Sequence, residues 1–399
     1  MLRRSVFATV TLVLVVSVLS PATSDARPPD GKLTIQAGAI HPENKSAPYE
    51  YTRYYPEVLR VRRGQTVTWR FLGFHTVTFS RSARPSWYRP DEAPDTYAVN
   101  EAFAFGATDC GRLGTKPCVL TPSTKFLSSG VPRVRANEPF ALTIDVPEGS
   151  YRYLCTVHPS MSGTVQVVGS RSPVPTQKQV DAQVASQVRA DSRTADALFR
   201  ADQRPASTVD ADGTRVWRGL LGDSTRDNHV SILAFMPAGL EIAAGDKVRY
   251  VYREHVVNEV HTVTFPSAVS GGPTPPGPPG LGSFPFVPAC DFDDPASGMK
   301  GVPGLWGVAV WPACPANDEV LHQPWMTRGR PAPGNEILTP TTYHDSGILA
   351  PKRAPTMRVL PDTGRKLPSA FDAGFPNVGS FTFECNIHVD LMTGSVTVS

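Results

Sequence analysis

Apolar and polar residues alternate with period two along this chain, and the alternating stretches come in matched pairs. Val67, Trp69 and Phe71 alternate with polar positions, and Val248, Tyr250 and Tyr252 do the same further on. Such a period places one face of a strand in a core and the other toward water. Gly64 precedes the first of these strands and Gly245 the second. After each comes the same phrase, His75-Thr76-Val77-Thr78-Phe79 and then His261-Thr262-Val263-Thr264-Phe265. A further alternating strand ends in cysteine in both halves. It is Tyr151-Arg152-Tyr153-Leu154-Cys155, entered from the turn Pro147-Glu148-Gly149, and Phe381-Thr382-Phe383-Glu384-Cys385. Both halves close on a Val-rich strand, Thr164–Val168 and Ser395–Val398. The repeat predicts an all-β chain of two tandem β-sandwiches.

Between the His phrase and the Cys strand, each half carries a long loop insertion. Each insertion reaches the same words, Leu120-Thr121-Pro122 with Ser129-Gly130 and Leu338-Thr339-Pro340 with Ser346-Gly347. The segment Ser170–Pro205 has another period. Val180, Val184 and Val188 recur at i+4, and Leu198 and Phe199 continue the stripe between Pro175 and Pro205. That pattern predicts an amphipathic helix, a connector lying on one of the sandwiches. The expected organisation is a first domain over residues 31–168, a helical linker over 169–206 and a second domain over 207–399. Residues 1–26 read as a secretory signal peptide. Arg3 and Arg4 precede an apolar run from Val6 to Leu19, and the small residues before Ala26 suit cleavage. A secreted protein, periplasmic or extracellular, with no membrane span after cleavage is the expectation.

Composition adds little. A formal net charge of +3, with the arginines scattered, gives no reason to expect nucleic acid. The 40 prolines argue for long irregular loops. The six cysteines carry more information. Cys110 with Cys118, and Cys290 with Cys314, read as two local disulfides of an exported protein. Cys155 and Cys385 are left over, one per half. Each has His and Met just downstream, Cys155-x2-His158-x2-Met161 and Cys385-x2-His388-x3-Met392. With His75 and His261 upstream, each half offers two imidazoles, one thiolate and one thioether. Soft sulfur favours Cu(I), imidazole serves both oxidation states, and a weak axial Met tunes the potential, so the set suits copper. Strand periodicity puts Cys155 on the face of Tyr151 and Tyr153, and Cys385 on that of Phe381 and Phe383. The thiols therefore point into an aromatic interior, with Trp69 also expected in the core.

On these residues both halves resemble cupredoxins, the blue-copper proteins of the plastocyanin–amicyanin type. The resemblance implies two cupredoxin-like Greek-key β-sandwiches. It also implies type 1 copper at His75, Cys155, His158 and Met161 and again at His261, Cys385, His388 and Met392, two coppers per chain. In that family the downstream His lies near the surface within an apolar patch and is the usual electron port. By resemblance that role falls to His158 and His388. The cysteine-containing insertions depart from the family pattern.

The expected function is single-electron transfer with redox partner proteins. One alternative is a two-domain copper oxidase or nitrite-reductase-like enzyme, which needs extra histidines and typically sets a His beside the type 1 Cys. The neighbours here are Leu154, Thr156, Glu384 and Asn386, and no His-x-His pair occurs. Copper sequestration, or an interaction module built on the long loops, is the other alternative. His41, His229, His255, His322 and His344 read as loop or structural residues, with His255 the best candidate to support a ligand from behind.

Overall fold

A computed structural model describes residues 32–81, 88–90, 97–99, 116–130, 139–267, 336–341, 344–347, 349–353, 367–385, 387–388 and 391–399. The predicted signal segment, His322, Cys110, Cys290 and Cys314 lie outside these residues. Cys118 is buried in a short strand of the first half. No helix among the described residues is long and apolar enough to cross a membrane.

The period-two segments of the first half form two five-stranded sheets. In one, Leu33–Gly38 lies between Tyr54–Tyr55 and Thr66–Leu72, and Phe140–Ile144 and Cys118–Leu120 continue it. In the other, Val58–Arg62, Ser162–Val168, Gly149–Leu154, Thr78–Ser80 and Phe126–Ser128 stand in that order. The second half repeats the plan. Arg215–Ser224 runs parallel to Lys247–Val251, as Leu33–Gly38 runs parallel to Thr66–Leu72, and Ala370–Gly374 follows. Gly239–Ile242, Thr393–Val398, Gly379–Glu384, Thr264–Phe265 and His344–Asp345 make its partner sheet. The fold is that of two cupredoxin-like Greek-key β-sandwiches joined by a helix.

Matched aromatics fill the two interiors. Trp69 meets Tyr153 across the first sandwich at a ring distance of 5.3 Å, and Tyr250 meets Phe383 across the second at 5.3 Å. Both pairs are edge-to-face, the arrangement that aromatic quadrupoles favour. Tyr151 does not join them. It is half-buried beside the turn that opens its strand, where its hydroxyl donates to Pro147 O at 2.9 Å.

The valine stripe does form a helix, Gln177–Asp202. Thr176 caps it in a reciprocal box with Gln179, which satisfies amides that would otherwise lack partners at the first turn. Val180, Val184, Val188 and Ala195 are buried. The helix lies on both sandwiches rather than one. Thr34 N donates to Gln177 Oε1 at 2.7 Å, while Leu198 and Phe199 pack on Leu220, Ile232 and Met236.

One short strand crosses between the halves. Tyr49–Tyr51 belongs to the first half by sequence, yet pairs antiparallel with Val230–Met236 of the second, setting Glu50 opposite Ser231. Thr52 N continues the contact by donating to His229 O at 2.9 Å.

Candidate metal centres

The repeated phrases converge as their symmetry implies. In the first half His75, Cys155 and His158 place their ligand atoms within 4.8 Å of one another, and His261, Cys385 and His388 do the same in the second. His75 Nδ1 lies 3.1 Å from His158 Nδ1, and Cys155 Sγ lies 3.7 Å from His158 Nδ1. In the second half the two Nδ1 atoms are 3.1 Å apart, and Cys385 Sγ is 3.7 Å from His261 Nδ1 and 3.6 Å from His388 Nδ1. Both thiols are buried and unbridged. Lone pairs of two imidazoles and a thiolate gathered this tightly away from water suit a single soft, imidazole-tolerant ion. Met161 and Met392 are buried in the same loops. Cys155 N donates to Met161 O at 3.0 Å, and Cys385 N to Met392 O at 2.9 Å.

The words shared by the two halves prove to be the scaffold of this geometry. Thr76 N and Thr262 N each point at the cysteine sulfur of their half, at 3.4 Å. Val77 N donates to Ser129 Oγ and Val263 N to Ser346 Oγ, both at 2.8 Å. The Ser-Gly phrase therefore pins the strand that carries the upstream His. Tyr54 donates its hydroxyl to Thr76 O, beside His75. Gly38 and Gly73 let the chain run against the His75 ring, where a Cβ would stand 2.5 Å and 2.6 Å from Nε2.

His158 and His388 do not sit where the resemblance puts them. They are only 2 % and 4 % exposed, so neither is a surface port. Two carboxylates that sequence reading did not single out lie against these rings. Glu50 Oε1 is 3.4 Å from His158 Nε2 and 3.9 Å from His75 Nε2. Glu259 Oε1 is 3.6 Å from His158 Nε2, and its Oε2 is 3.7 Å from His388 Nε2. Both acids are more than nine-tenths buried. A lone acid inside an apolar run, Val256-Val257-Asn258-Glu259-Val260, was the available signal. Glu50, between two tyrosines, was another.

Around the same junction, Asn258 Nδ2 donates to Thr52 Oγ1 and Asn228 O, while Ser160 N and Oγ donate to Asn258 Oδ1. Ser160 lies between His158 and Met161, so the first Cys–His–Met loop is tied to the second half. The other described histidines keep structural roles. His255 Nε2 lies against Ser224 O and Asp223, and His344 pairs in a strand with Phe265. His41 Nδ1 accepts from Glu43 N and Asn44 N, and His229 faces Asp227. His255 thus serves the Asp223 cluster and does not back a ligand.

Electrostatics separate the two groups. Burial opposes ionisation of Cys155, but hydrogen bonds from His158 and His75 outweigh it and hold the thiol well below its usual range. Burial likewise opposes charge on His158, yet Glu50 and Cys155 drive it well above the usual imidazole range. In the second group, burial dominates, pushing Cys385 up to about 11 and His388 down to about 4. Glu50 is desolvated, but the charges on His158 and His75 take it down to about 2. Glu259 is pushed up to about 7, chiefly by burial. The asymmetry follows from geometry, since the close contacts of Glu50 are with the first pair of imidazoles, and its charge reaches His388 more weakly than burial opposes it.

No protein-family model matches the chain, and no curated protein does. Among solved structures, an oxidised amicyanin variant is 21% identical, with 36% of this chain and 88% of that one covered at a TM-score of 0.19. Auracyanin A, a "blue" copper protein from the photosynthetic bacterium Chloroflexus aurantiacus, is 10% identical, with 46% and 98% covered at 0.20. A copper-containing nitrite reductase from Thermus scotoductus is 14% identical, with 94% and 69% covered at 0.21. Likenesses this distant carry no assignment of the site, which rests on the geometry of its own residues.

Proposed function

We propose that the chain is an exported copper protein that holds one type 1 copper in each half and carries single electrons for partner proteins. The observation that supports this reading is the duplicated His–Cys–His cluster, with two imidazole nitrogens 3.1 Å apart beside a buried free thiol in both halves. His75, Cys155, His158 and Met161 would hold one ion, and His261, Cys385, His388 and Met392 the other. Copper held by these residues would supply one-electron Cu(I)/Cu(II) chemistry, which is what the reading needs.

The protein's own contribution is rigidity. The thiolates accept backbone N–H groups, Val157 N at 3.3 Å in the first half among them, and the loops are closed onto their cysteines by main-chain hydrogen bonds. Water is excluded by the aromatic interior. A cage that keeps its shape in both oxidation states suits a carrier rather than an enzyme that must open a coordination position for substrate.

Metal analysis with visible absorption on the purified chain, on Cys155→Ser and on Cys385→Ser tests the reading. Two coppers per chain are expected in the parent, one in each variant, with the thiolate-to-copper band roughly halved. An undiminished band in either variant removes that cysteine from the ligand set. More than two coppers, with turnover of oxygen or nitrite, would favour an oxidase or reductase.

A further inference from the structure

We infer that Glu259 joins the two centres into one electrostatic unit, its carboxylate serving as the shared counter-charge for a ligand imidazole of each half. The inference rests on the copper reading above. His158 and His388 turn Nδ1 toward their cysteines, which leaves Nε2 as the outward edge of each ring. Glu259 presents Oε1 to the first of these edges at 3.6 Å and Oε2 to the second at 3.7 Å. One side chain therefore spans from one metal cage to the other. Glu50 has a different reach, facing His158 at 3.4 Å and His75 at 3.9 Å, both in the first half. Among the described residues, Glu50 Oε1, Glu259 Oε1 and His75 Nε2 are buried without a hydrogen-bond partner.

The charge balance gives the arrangement a purpose. A thiolate with Cu(II) carries a net positive charge and with Cu(I) carries none. Two buried carboxylates offset two oxidised centres, whereas beside two reduced centres they stand uncompensated. In a low-dielectric interior such a charge is strongly felt. Both acids therefore favour the oxidised form and lower the midpoints. Glu259 acts on both centres and Glu50 chiefly on the first. A lower midpoint is therefore expected at the first centre, which both acids face. Both acids are held in place by the opposite half. Glu50 rides on the strand paired with Val230–Met236, and Asn258, next to Glu259, bonds Thr52 and the Ser160 loop.

The test uses the full copper-loaded chain. Glu259→Gln and Glu50→Gln are made in the single-site backgrounds Cys155→Ser and Cys385→Ser. Copper content and the visible band are read first, and the band is then followed through a potentiometric titration. Glu259→Gln is expected to shift the midpoint upward in both backgrounds. Glu50→Gln is expected to shift it more where the first centre survives than where the second does. Glu259→Asp, which keeps the charge, should stay nearer the parent. A Glu259→Gln shift in one background only, or in neither, overturns the inference. So does a third metal equivalent in the parent that is lost with Glu259→Gln, which would make the carboxylates metal ligands. A parent without the copper band overturns the copper reading itself, a failure visible before any titration.

Discussion

The imidazole of His75 can approach the chain only because Gly38 and Gly73 have no side chain. Gly38 has φ +79, and a Cβ there would meet Leu72 O at 2.7 Å as well as His75 Nε2. Gly222 plays the corresponding part in the second half, at φ +63 with a Cβ 2.6 Å from Ile232 O and 3.1 Å from His261 Nε2. Gly38→Ala is therefore doubly opposed, by left-handed backbone and by the ring. It should cost about 1–3 kcal/mol in stability, measured by denaturant unfolding, and should deplete copper in the first centre while the second keeps its band. None of these glycines stood out in the sequence. The ligands did, because Cys-x2-His with a following Met occurs twice beside a repeated His phrase. Glu50 and Glu259 left only faint local signals, an acid between tyrosines and one within an apolar run, since their meaning lies in what they face across a junction that no local pattern encodes.

At the scale of elements, the helix Gln177–Asp202 shows which features local sequence carries. Its valine period and bounding prolines were readable, and the observed ends fall inside those prolines; the Thr176 cap emerged only with the structure. Its docking was not readable, because the contacts lie far apart in sequence. Tyr51 and Ser192 share a 2.6 Å hydroxyl contact, and Tyr55 donates to Asp191 at 2.7 Å. At its far end Arg253 pairs with Asp202 and lies 2.6 Å from Asp223, two carboxylates with almost no exposure. Burial, helped by Asp202, raises Asp223 to about 7. The folded state thus holds a proton that the unfolded chain releases near pH 4. Linkage then fixes the sign. The contribution is full below the unfolded value and is lost as pH rises through about 7, so stability falls across that window. Asp223→Asn cannot ionise and should flatten this part of the slope, as thermal unfolding of parent and variant from pH 4 to 8 at equal copper loading would show. An unchanged slope would mean that the pair does not share the proton.

At the scale of the whole molecule, the repeat predicted two sandwiches, and the sheets form as the alternation requires. What it could not convey is that the halves complete each other. The described residues of the two halves make one compact unit. Every residue of Val230–Met236 is buried, and one edge of that strand is covered by Tyr49–Tyr51 from the first half. Without that cover, a strand containing Ile232, Leu233, Phe235 and Met236 would present unpaired amides and apolar side chains together, the combination that drives edge-to-edge aggregation. Expressed alone, residues 207–399 should therefore aggregate, and coexpression with residues 32–206 should restore a soluble pair. The intact chain should in turn unfold in one calorimetric transition, because opening the junction strips Glu50 and Glu259 from the imidazoles they face. Two well-separated transitions, or a soluble and copper-competent second half on its own, would show that the crossing strand is an embellishment and that each centre is built by its own sandwich.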